Sequence, residues 1–437
     1  MANGDGAAAG VQLKVEKLVY GGEGMGHADG VAVFVPFVLP GETVAVRLDA
    51  QKKKFARGRV EKFVELSPER VAAPCPYFTR CGGCHYQHLP YDVQLRYKKE
   101  ILLETLSRLG GLRWEGPVEV HASPPFGYRN RAQWKVRQAA GGGAAIGYLE
   151  AGSQTLCPVE RCPILTPALE DVLARLRGLV GRGEIPATLT ELEAFADGED
   201  ARVLLGASFA NLGGTTAEAL GRRLREAIPA IESLLLHDAS RDRFELLGPG
   251  YLRYRVGERS YRVGHLSFFQ VNRFLVEALA QRATSGAGGR LALDLYAGVG
   301  LFSLPLAEGF ERVVAVEGNP AATRDLEDNI RAAPGGSARI EARTQDAEEF
   351  LPSWNEPPDL IVLDPPRSGL SDIARERVVE LGARAIRYVS CDPATLARDL
   401  KEISGVYEVE AIELFDMFPQ SFHLESLVRL RRKERAA

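Results

Sequence analysis

Apolar and polar positions alternate from the first ordered-looking stretch of the chain. Val11, Leu13 and Val15 are separated by polar residues, the period of a half-buried strand. A Gly-rich turn follows (Tyr20-Gly21-Gly22-Glu23-Gly24-Met25-Gly26), then an apolar run over 31–38, a Pro40-Gly41 turn and a second run over 44–48. Short strands punctuated by Gly and Pro turns predict a closed all-β unit over 11–66, with the basic segment 51–59 on its rim. Regular periodicity is lost across 74–90, which carries three cysteines. Tyr91, Leu95, Ile101, Leu102 and Leu106 then resume a helical spacing that ends at Gly110-Gly111.

From 115 to 262 strand and helix patterns are mixed, with a helix predicted over 166–179. Ser285-Gly286-Ala287-Gly288-Gly289 reads as a joint. Beyond it, apolar strands at 291–295, 313–316, 360–363, 387–389 and 407–414 are separated by helical stretches. That alternation predicts a mostly parallel sheet with helices on both faces. No internal repeat is evident, and 437 residues accommodate two or three domains.

Composition narrows the class without deciding it. The chain is 45% hydrophobic and 26% charged with a net charge of −4, as in an ordinary globular protein. Any nucleic-acid contact must therefore rest on local patches. Lys52-Lys53-Lys54 with Arg57 and Arg59 is one, and Arg129, Arg131, Lys135 and Arg137 make another, although such runs are equally read as solvated surface. No apolar run approaches the ~18 residues of a membrane span. Residues 1–10 lack the basic and apolar regions of a secretory signal, so a cytoplasmic location without membrane contact is expected. The six cysteines are clustered, which favours metal or catalytic roles over a disulfide framework.

Motifs at the ends of the C-terminal strands carry the chemistry. Asp294-Leu295-Tyr296-Ala297-Gly298-Val299-Gly300 is a strand end followed by Gly-x-Gly, which lets the backbone approach a ligand where a Cβ would clash. Glu317 closes the next strand about 20 residues on, where an acidic group commonly holds a ribose diol. Ser303 replaces the third glycine of the dinucleotide fingerprint, so S-adenosylmethionine is favoured over a dinucleotide. Glu317 as a plain surface carboxylate is the competing reading. Asp364-Pro365-Pro366-Arg367-Ser368-Gly369 ends a further strand, where loops line the ligand crevice of a parallel sheet. Two prolines fix the backbone that holds Asp364. A rigid turn is the alternative, and similar loops occur in enzymes that methylate amino groups.

Cys391, in Tyr388-Val389-Ser390-Cys391-Asp392-Pro393, lies far from the other five cysteines. A buried core thiol is the plain reading. The chemical reading is a nucleophile. An exocyclic amine has a lone pair and needs no thiolate, whereas carbon 5 of uracil must be activated. Thiolate attack on carbon 6 puts electron density on carbon 5, which then takes a methyl group. A base removes the carbon-5 proton and the thiol is eliminated. The run from Asp416 to His423-Leu424-Glu425 offers a base in Glu425, which is also readable as an exposed helix or strand residue.

Cys75-x5-Cys81-x2-Cys84, with Gly82-Gly83 in the tight turn and Cys157 and Cys162 far downstream, is a metal-ligand pattern. Four thiolates suit zinc or an iron–sulfur cluster, and His85 and His88 keep zinc open. The spacing differs from that of radical S-adenosylmethionine enzymes, and four ligands leave no open iron. A structural or RNA-positioning centre is expected.

Taken in order, these motifs resemble the RNA uracil-5 methyltransferases, above all those of 23S ribosomal RNA that carry an N-terminal TRAM domain. The resemblance spans nearly the whole chain and includes Phe268-Phe269-Gln270-Val271-Asn272. It implies a multidomain fold: a TRAM, OB-like β-barrel at 8–68, an α+β central domain with the cluster at 74–90 and 115–262, and a C-terminal α/β Rossmann-like methyltransferase domain at 263–437. The helix at 91–114 would join to and pack on the last of these. Cys391 would be the nucleophile and Glu425 the base. Gln270, Tyr296, Gly298, Gly300, Glu317, Asp346 and Asp364 would surround S-adenosylmethionine and the target base. Phe268 would stack near the uracil, with Arg129, Lys53 and Arg57 on the RNA. The family's fourth cluster ligand lies in a Cys-Pro-Ile-Leu sequence, which selects Cys162 over Cys157 and a [4Fe-4S] cluster held by Cys75, Cys81, Cys84 and Cys162. The implied substrate is 23S rRNA, met by a monomer before subunit assembly is complete. A tRNA uridine is the alternative, although bacterial members acting on tRNA usually lack the barrel and the cluster. Two departures stand out: Asp392 replaces the usual Asn after the nucleophile, and the cofactor loop has Ala297 for Cys and Leu301 for Asn.

Overall fold

The computed structural model describes residues 10–52, 54–138 and 143–434; Lys53, assigned above to RNA, lies outside the described residues. Six strands form the N-terminal sheet, in the order Val11–Lys14, Thr43–Gln51, Phe55–Glu65, Val31–Pro36, Glu23–Ala28, Lys17–Leu18. The first and last belong to one continuous segment that pairs with both edges, and the Glu16 amide donates to the Met25 carbonyl at 2.8 Å between them. The sheet therefore curls into a barrel around Leu13, Val33, Val35, Val44 and Val46. The basic segment starts in a turn, with Lys52 and Lys54 outside the strands, and continues into Phe55–Glu65, an 11-residue strand paired on both sides. Charged residues and Gly58 hide its alternation, because only Ala56 and Gly58 point inward at its start.

The central sheet has seven strands, in the order Leu156–Pro158, Ala144–Leu149, Arg131–Gln138, Leu189–Ala196, Val203–Phe209, Ile231–Asp238, Arg243–Leu247. Helices Pro167–Gly181 and Ala217–Ala227 bury their apolar faces against it. Thr166 caps the first by accepting from the Leu169 amide.

The C-terminal sheet is doubly wound, with eight strands in the order Ile340–Thr344, Phe310–Glu317, Gly289–Leu295, Leu360–Leu363, Ala385–Ser390, Glu425–Arg432, Tyr407–Phe415, Val118–His121. The first five run parallel; Glu425–Arg432 reverses direction between Ala385–Ser390 and Tyr407–Phe415. Apolar clusters cover both faces. Two segments assigned to the central domain belong here instead. Val118–His121 extends the sheet edge parallel to Tyr407–Phe415. The hairpin of Tyr251–Val256 and Arg259–Gly264 places Leu252, Tyr254, Tyr261 and Val263 in the same apolar cluster as Leu279 and Val313. Val118–His121 is too short for its periodicity to reveal a partner so distant in sequence, whereas the hairpin simply adjoins the boundary drawn at 262. Helix Tyr91–Gly110 ends on Gly111 in the left-handed conformation and packs Ile101, Leu102 and Leu106 into the cluster that holds Leu396 and Leu400.

Candidate active site

The sheet topology brings four reactive side chains to one edge. Asp294 lies near the end of Gly289–Leu295, Asp364 follows Leu360–Leu363, and Cys391 follows Ala385–Ser390. Glu425 opens the reversed strand Glu425–Arg432, so it starts where its neighbours end. Ser390 pairs with Ser426 across the two strands, and the register sets Cys391 opposite Glu425. Glu425 is only 4% exposed and Cys391 is half-buried, so neither is the exposed residue that Glu425 resembled in sequence.

Burial makes this edge a place of unusual ionisation. It pushes the Asp294 carboxyl up to about 7 despite the hydrogen bond donated by Ser303, and one Asp294 oxygen has no partner. Burial and the Asp294 charge push Asp364 up to about 7. Glu425 is raised well above the usual carboxylate range by burial and then by Asp364, and its Oε1 is also unpartnered. The Cys391 thiol is pushed up to about 12 by burial, then by Glu425 and Asp364, with Arg367 opposing. Asp392 adds a smaller upward push. It also caps helix Pro393–Ile403 by accepting from the Ala394 and Thr395 amides at 2.8 and 3.1 Å. An Asn would cap equally well, so the departure from the family pattern leaves the helix start intact and adds a negative charge beside the thiol. Arg367, part of a motif read only for its aspartate, is the counter-charge to Cys391 and Glu425 and stands 3.5 Å from His423 Nδ1. His423 is pushed down to about 3 by burial and by Arg367.

The loop beside these groups fits a sulfonium nucleoside. Glu317 closes Phe310–Glu317, and its two oxygens accept from the Gly298 and Asn319 amides, each at 2.7 Å, which fixes the carboxylate at the mouth of the loop. Gly298 and Gly300 have φ of 56° and 94°, and open space lies where a Cβ of Gly298 would stand. Asp346 faces Gly318 so closely that a Cβ at 318 would fall 2.0 Å from its oxygen. Tyr296, at φ 66°, directs its hydroxyl to Glu348 at 3.1 Å. The buried carboxyls of Asp294 and Asp364, the first with one unpartnered oxygen and its charge acting on the second, are the environment a positive sulfonium would relieve. Leu301 is buried and apolar. Gln270 is buried, while Phe268 is 63% exposed.

A buried polar cradle, which the sequence reading missed, holds the run that leads into Glu425. Lys98 pairs with Asp416 at 2.6 Å, both fully buried, and also donates to the Phe418 carbonyl. Gln94 and Gln420 bond side chain to side chain at 3.0 Å, Tyr128 donates to the Pro419 carbonyl, and Asn272 donates to the carbonyls of Asp416 and Met417. A lysine and a glutamine three to four residues apart on a helix resemble surface positions; only a buried partner distinguishes them.

The cysteines fall into two settings. Burial pushes the thiols of Cys81, Cys84 and Cys162 up to about 11, 12 and 12, and the neighbouring thiols add to each shift. Cys75 acts on Cys81 and Cys84, and Cys157 acts on Cys81 as well. Cys157 sits inside the central apolar core and accepts from Arg80 at 3.2 Å. Among the described residues, the group of three metal-ligating side chains with atoms within 4.8 Å of one another is Glu119, His121 and Glu413, away from the cysteines. Glu413 there is bound by Arg282 and Arg429.

The basic patches are less free than their sequence implies. Arg131 pairs with Glu193, Lys135 with Glu191, and Arg131 also ties down the 265–267 backbone. Arg129 is half-buried, and its charge acts on Cys84 and His423. On the barrel, Arg57 pairs with Glu23 at 3.1 Å and lies over Phe34 and Phe55, with Lys52 over Phe55 as well. This is a surface of cations interleaved with aromatic faces.

Comparison with known proteins agrees with this geometry. Residues 251–433 match the family model described as tRNA (Uracil-5-)-methyltransferase, and residues 11–60 match the TRAM domain. An uncharacterized RNA methyltransferase of Aquifex aeolicus is 33% identical over 434 residues, covering 97% of this chain and 99% of its own. One from Halalkalibacterium halodurans is 32% identical over 458 residues, covering 97% of each. The crystal structure of Pyrococcus abyssi tRNA (uracil-54, C5)-methyltransferase in complex with S-adenosyl-L-homocysteine superposes with a TM-score of 0.75 at 26% identity, over 96% of this chain and all of that one.

Proposed function

Because the chain belongs to the RNA uracil-5 methyltransferase family, we propose that it methylates carbon 5 of a uridine in 23S rRNA through a covalent bond to Cys391, with Glu425 as the base. The observation that carries this reading is the pairing of Ser390 with Ser426, which sets a thiol and a buried carboxylate facing each other at the ligand edge. S-adenosylmethionine, when bound, supplies an electrophilic methyl group. The chain's own groups do the rest. The Cys391 thiolate forms a bond to carbon 6 of the uracil and leaves electron density on carbon 5. Once carbon 5 is methylated, Glu425 accepts its proton, the carbon 6–sulfur bond breaks and the thiolate returns. A carboxylate with a raised pKa suits that step, since its protonated form is stable in the site. Glu317, Asp346, Gln270 and the backbone at Gly298 and Gly300 would hold the nucleoside part of the cofactor, Asp364 and Tyr296 would border its reactive end, and Phe268 would stack on the target base.

Cys75, Cys81, Cys84 and Cys162 would hold a [4Fe-4S] cluster. The donor set supports this: burial favours the neutral form of Cys81, Cys84 and Cys162, which a metal would reverse, and Cys75 acts on two of them. The cluster would be a brace for the RNA-facing loops rather than a redox partner of the reaction. The barrel strands between Val11 and Glu65, with Lys52 and Arg57 over their aromatic rings, support an RNA partner, and the enzyme would act as a cytoplasmic monomer before subunit assembly is complete. The presence of both barrel and cysteine cluster favours rRNA. The P. abyssi enzyme, whose substrate is a tRNA uridine, makes tRNA the second reading. Mapping 5-methyluridine in total RNA from a deletion strain and its parent decides between them. One 23S site lost on deletion is the expected result; loss confined to tRNA would overturn the substrate assignment.

A further inference from the structure

Tyr20, in the Gly-rich turn of the barrel, reaches the catalytic edge. Its hydroxyl donates to the backbone carbonyl of Cys391 at 3.3 Å, across 371 residues of sequence, and lies against the Asp392 carboxylate. Its ring packs edge-on to Phe422 at 5.5 Å, in the run that leads into Glu425. The contact belongs to a wider seat. Phe422 meets His85 at 4.6 Å, and Gly22 approaches the same imidazole so closely that a Cβ would stand 3.1 Å from it. The His85 and Tyr86 amides donate to the Gln420 carbonyl at 2.7 and 2.9 Å. Leu18 and Leu39 of the barrel join the apolar cluster that contains Tyr388 and Leu396, and Lys17 pairs with Glu104. The barrel is thus anchored to the catalytic domain on both sides of the reactive pair rather than tethered beside it.

We propose that Tyr20 is a positioning residue for methyl transfer, through which the seated barrel fixes the Cys391–Asp392 peptide and offsets the charge of Asp392 beside the thiol. The hydroxyl has one proton to give, and both acceptors within reach belong to the nucleophile loop. Where the family usually has Asn, this chain has a carboxylate, and a phenol donor from the barrel is the group that meets it. RNA bound along the barrel and the reactive sulfur then share a single rigid connection. The inference rests on Cys391 being the nucleophile.

Tyr20→Phe keeps the ring on Phe422 and removes only the donor. In the full-length protein, iodoacetamide labelling of the Cys391 peptide, followed by mass spectrometry, reads the thiolate fraction without RNA. The expected result is labelling about threefold slower at pH 9, a rise of about half a unit in the thiol pKa. Methyl transfer to transcribed 23S rRNA should fall roughly tenfold in kcat with KM unchanged. In an Asp392→Asn background the same change should alter labelling much less, because the charge it offsets is gone. Labelling and kcat equal to the parent's would overturn the proposal, as would an effect confined to thermal stability or to KM for RNA. A parent enzyme whose Cys391 labels normally yet forms no adduct with 5-fluorouridine RNA would instead remove the nucleophile reading, and with it the premise.

Discussion

Cys391 and Glu425 face each other across two antiparallel strands, one residue beyond the Ser390–Ser426 pair, at the carboxyl edge of an otherwise parallel sheet. The reversed strand puts its first residue where the neighbouring strands put their last. A thiol on the residue just after one strand and a buried carboxylate on the first residue of the next therefore share one edge.

The two roles should separate by mutation. Cys391→Ala should abolish both adduct and methylated product. Glu425→Gln should still form the Cys391 adduct but fail to release it, with turnover down by about 10²–10⁴-fold. Denaturing gels with labelled RNA check this, and rapid release by the glutamine variant would remove Glu425 from the base role.

Asp392 both caps a helix and burdens the thiol. Asp392→Asn should change stability by no more than a few tenths of a kcal/mol, since both residues cap well. It should speed alkylation of Cys391 below pH 10, because burial and three carboxylates hold the thiol up at about 12 and one of those charges is removed. Mass-spectrometric labelling rates for the two proteins give the comparison.

Asp294 and Asp364 predict an unusual pH profile of stability. Each has a folded-state pKa of about 7, above its ordinary 3.8, so the native state keeps protons that the unfolded chain releases. That stability is fully present below pH 3.8 and is lost as pH rises through 7, at about 1.4 kcal/mol per pH unit for each proton involved. Urea denaturation between pH 5 and 8 should show the decline, and Asp294→Asn should flatten it.

Lys98→Met should leave Asp416 charged and unpaired inside the protein, at a cost of about 3–5 kcal/mol. Adding Asp416→Asn should recover much of that loss. Denaturant midpoints of the three proteins test the pair.

Serine at Cys75, Cys81, Cys84 or Cys162 should each remove a brown chromophore from anaerobically purified protein, whereas Cys157→Ser should retain it. Visible spectra and iron content decide, and a colourless parent rich in zinc would overturn the cluster.

Much of this architecture is legible in the chain because its signals are local. Alternation at Val11–Lys14, the helical spacing of Ile101, Leu102 and Leu106, and the apolar strands after Gly289 each need only a short window. Cys391 and Glu425 stand out because one reaction needs both. What stays hidden depends on partners far away in sequence. Val118–His121 is too short to declare which sheet it joins, Phe55–Glu65 masks its pattern with charge, and Lys98 and Tyr20 resemble surface residues until Asp416 and the Cys391 carbonyl are set beside them.

The central claim is a covalent bond between Cys391 and the target uracil. Full-length enzyme incubated with S-adenosylmethionine and 5-fluorouridine-substituted 23S rRNA, then digested with nuclease and protease, gives the direct measurement by mass spectrometry. The account predicts a methylated fluorouridine attached to the peptide containing Cys391, absent from Cys391→Ala. Methyl incorporation into unsubstituted RNA by Cys391→Ala, or an adduct on any other cysteine, would contradict it.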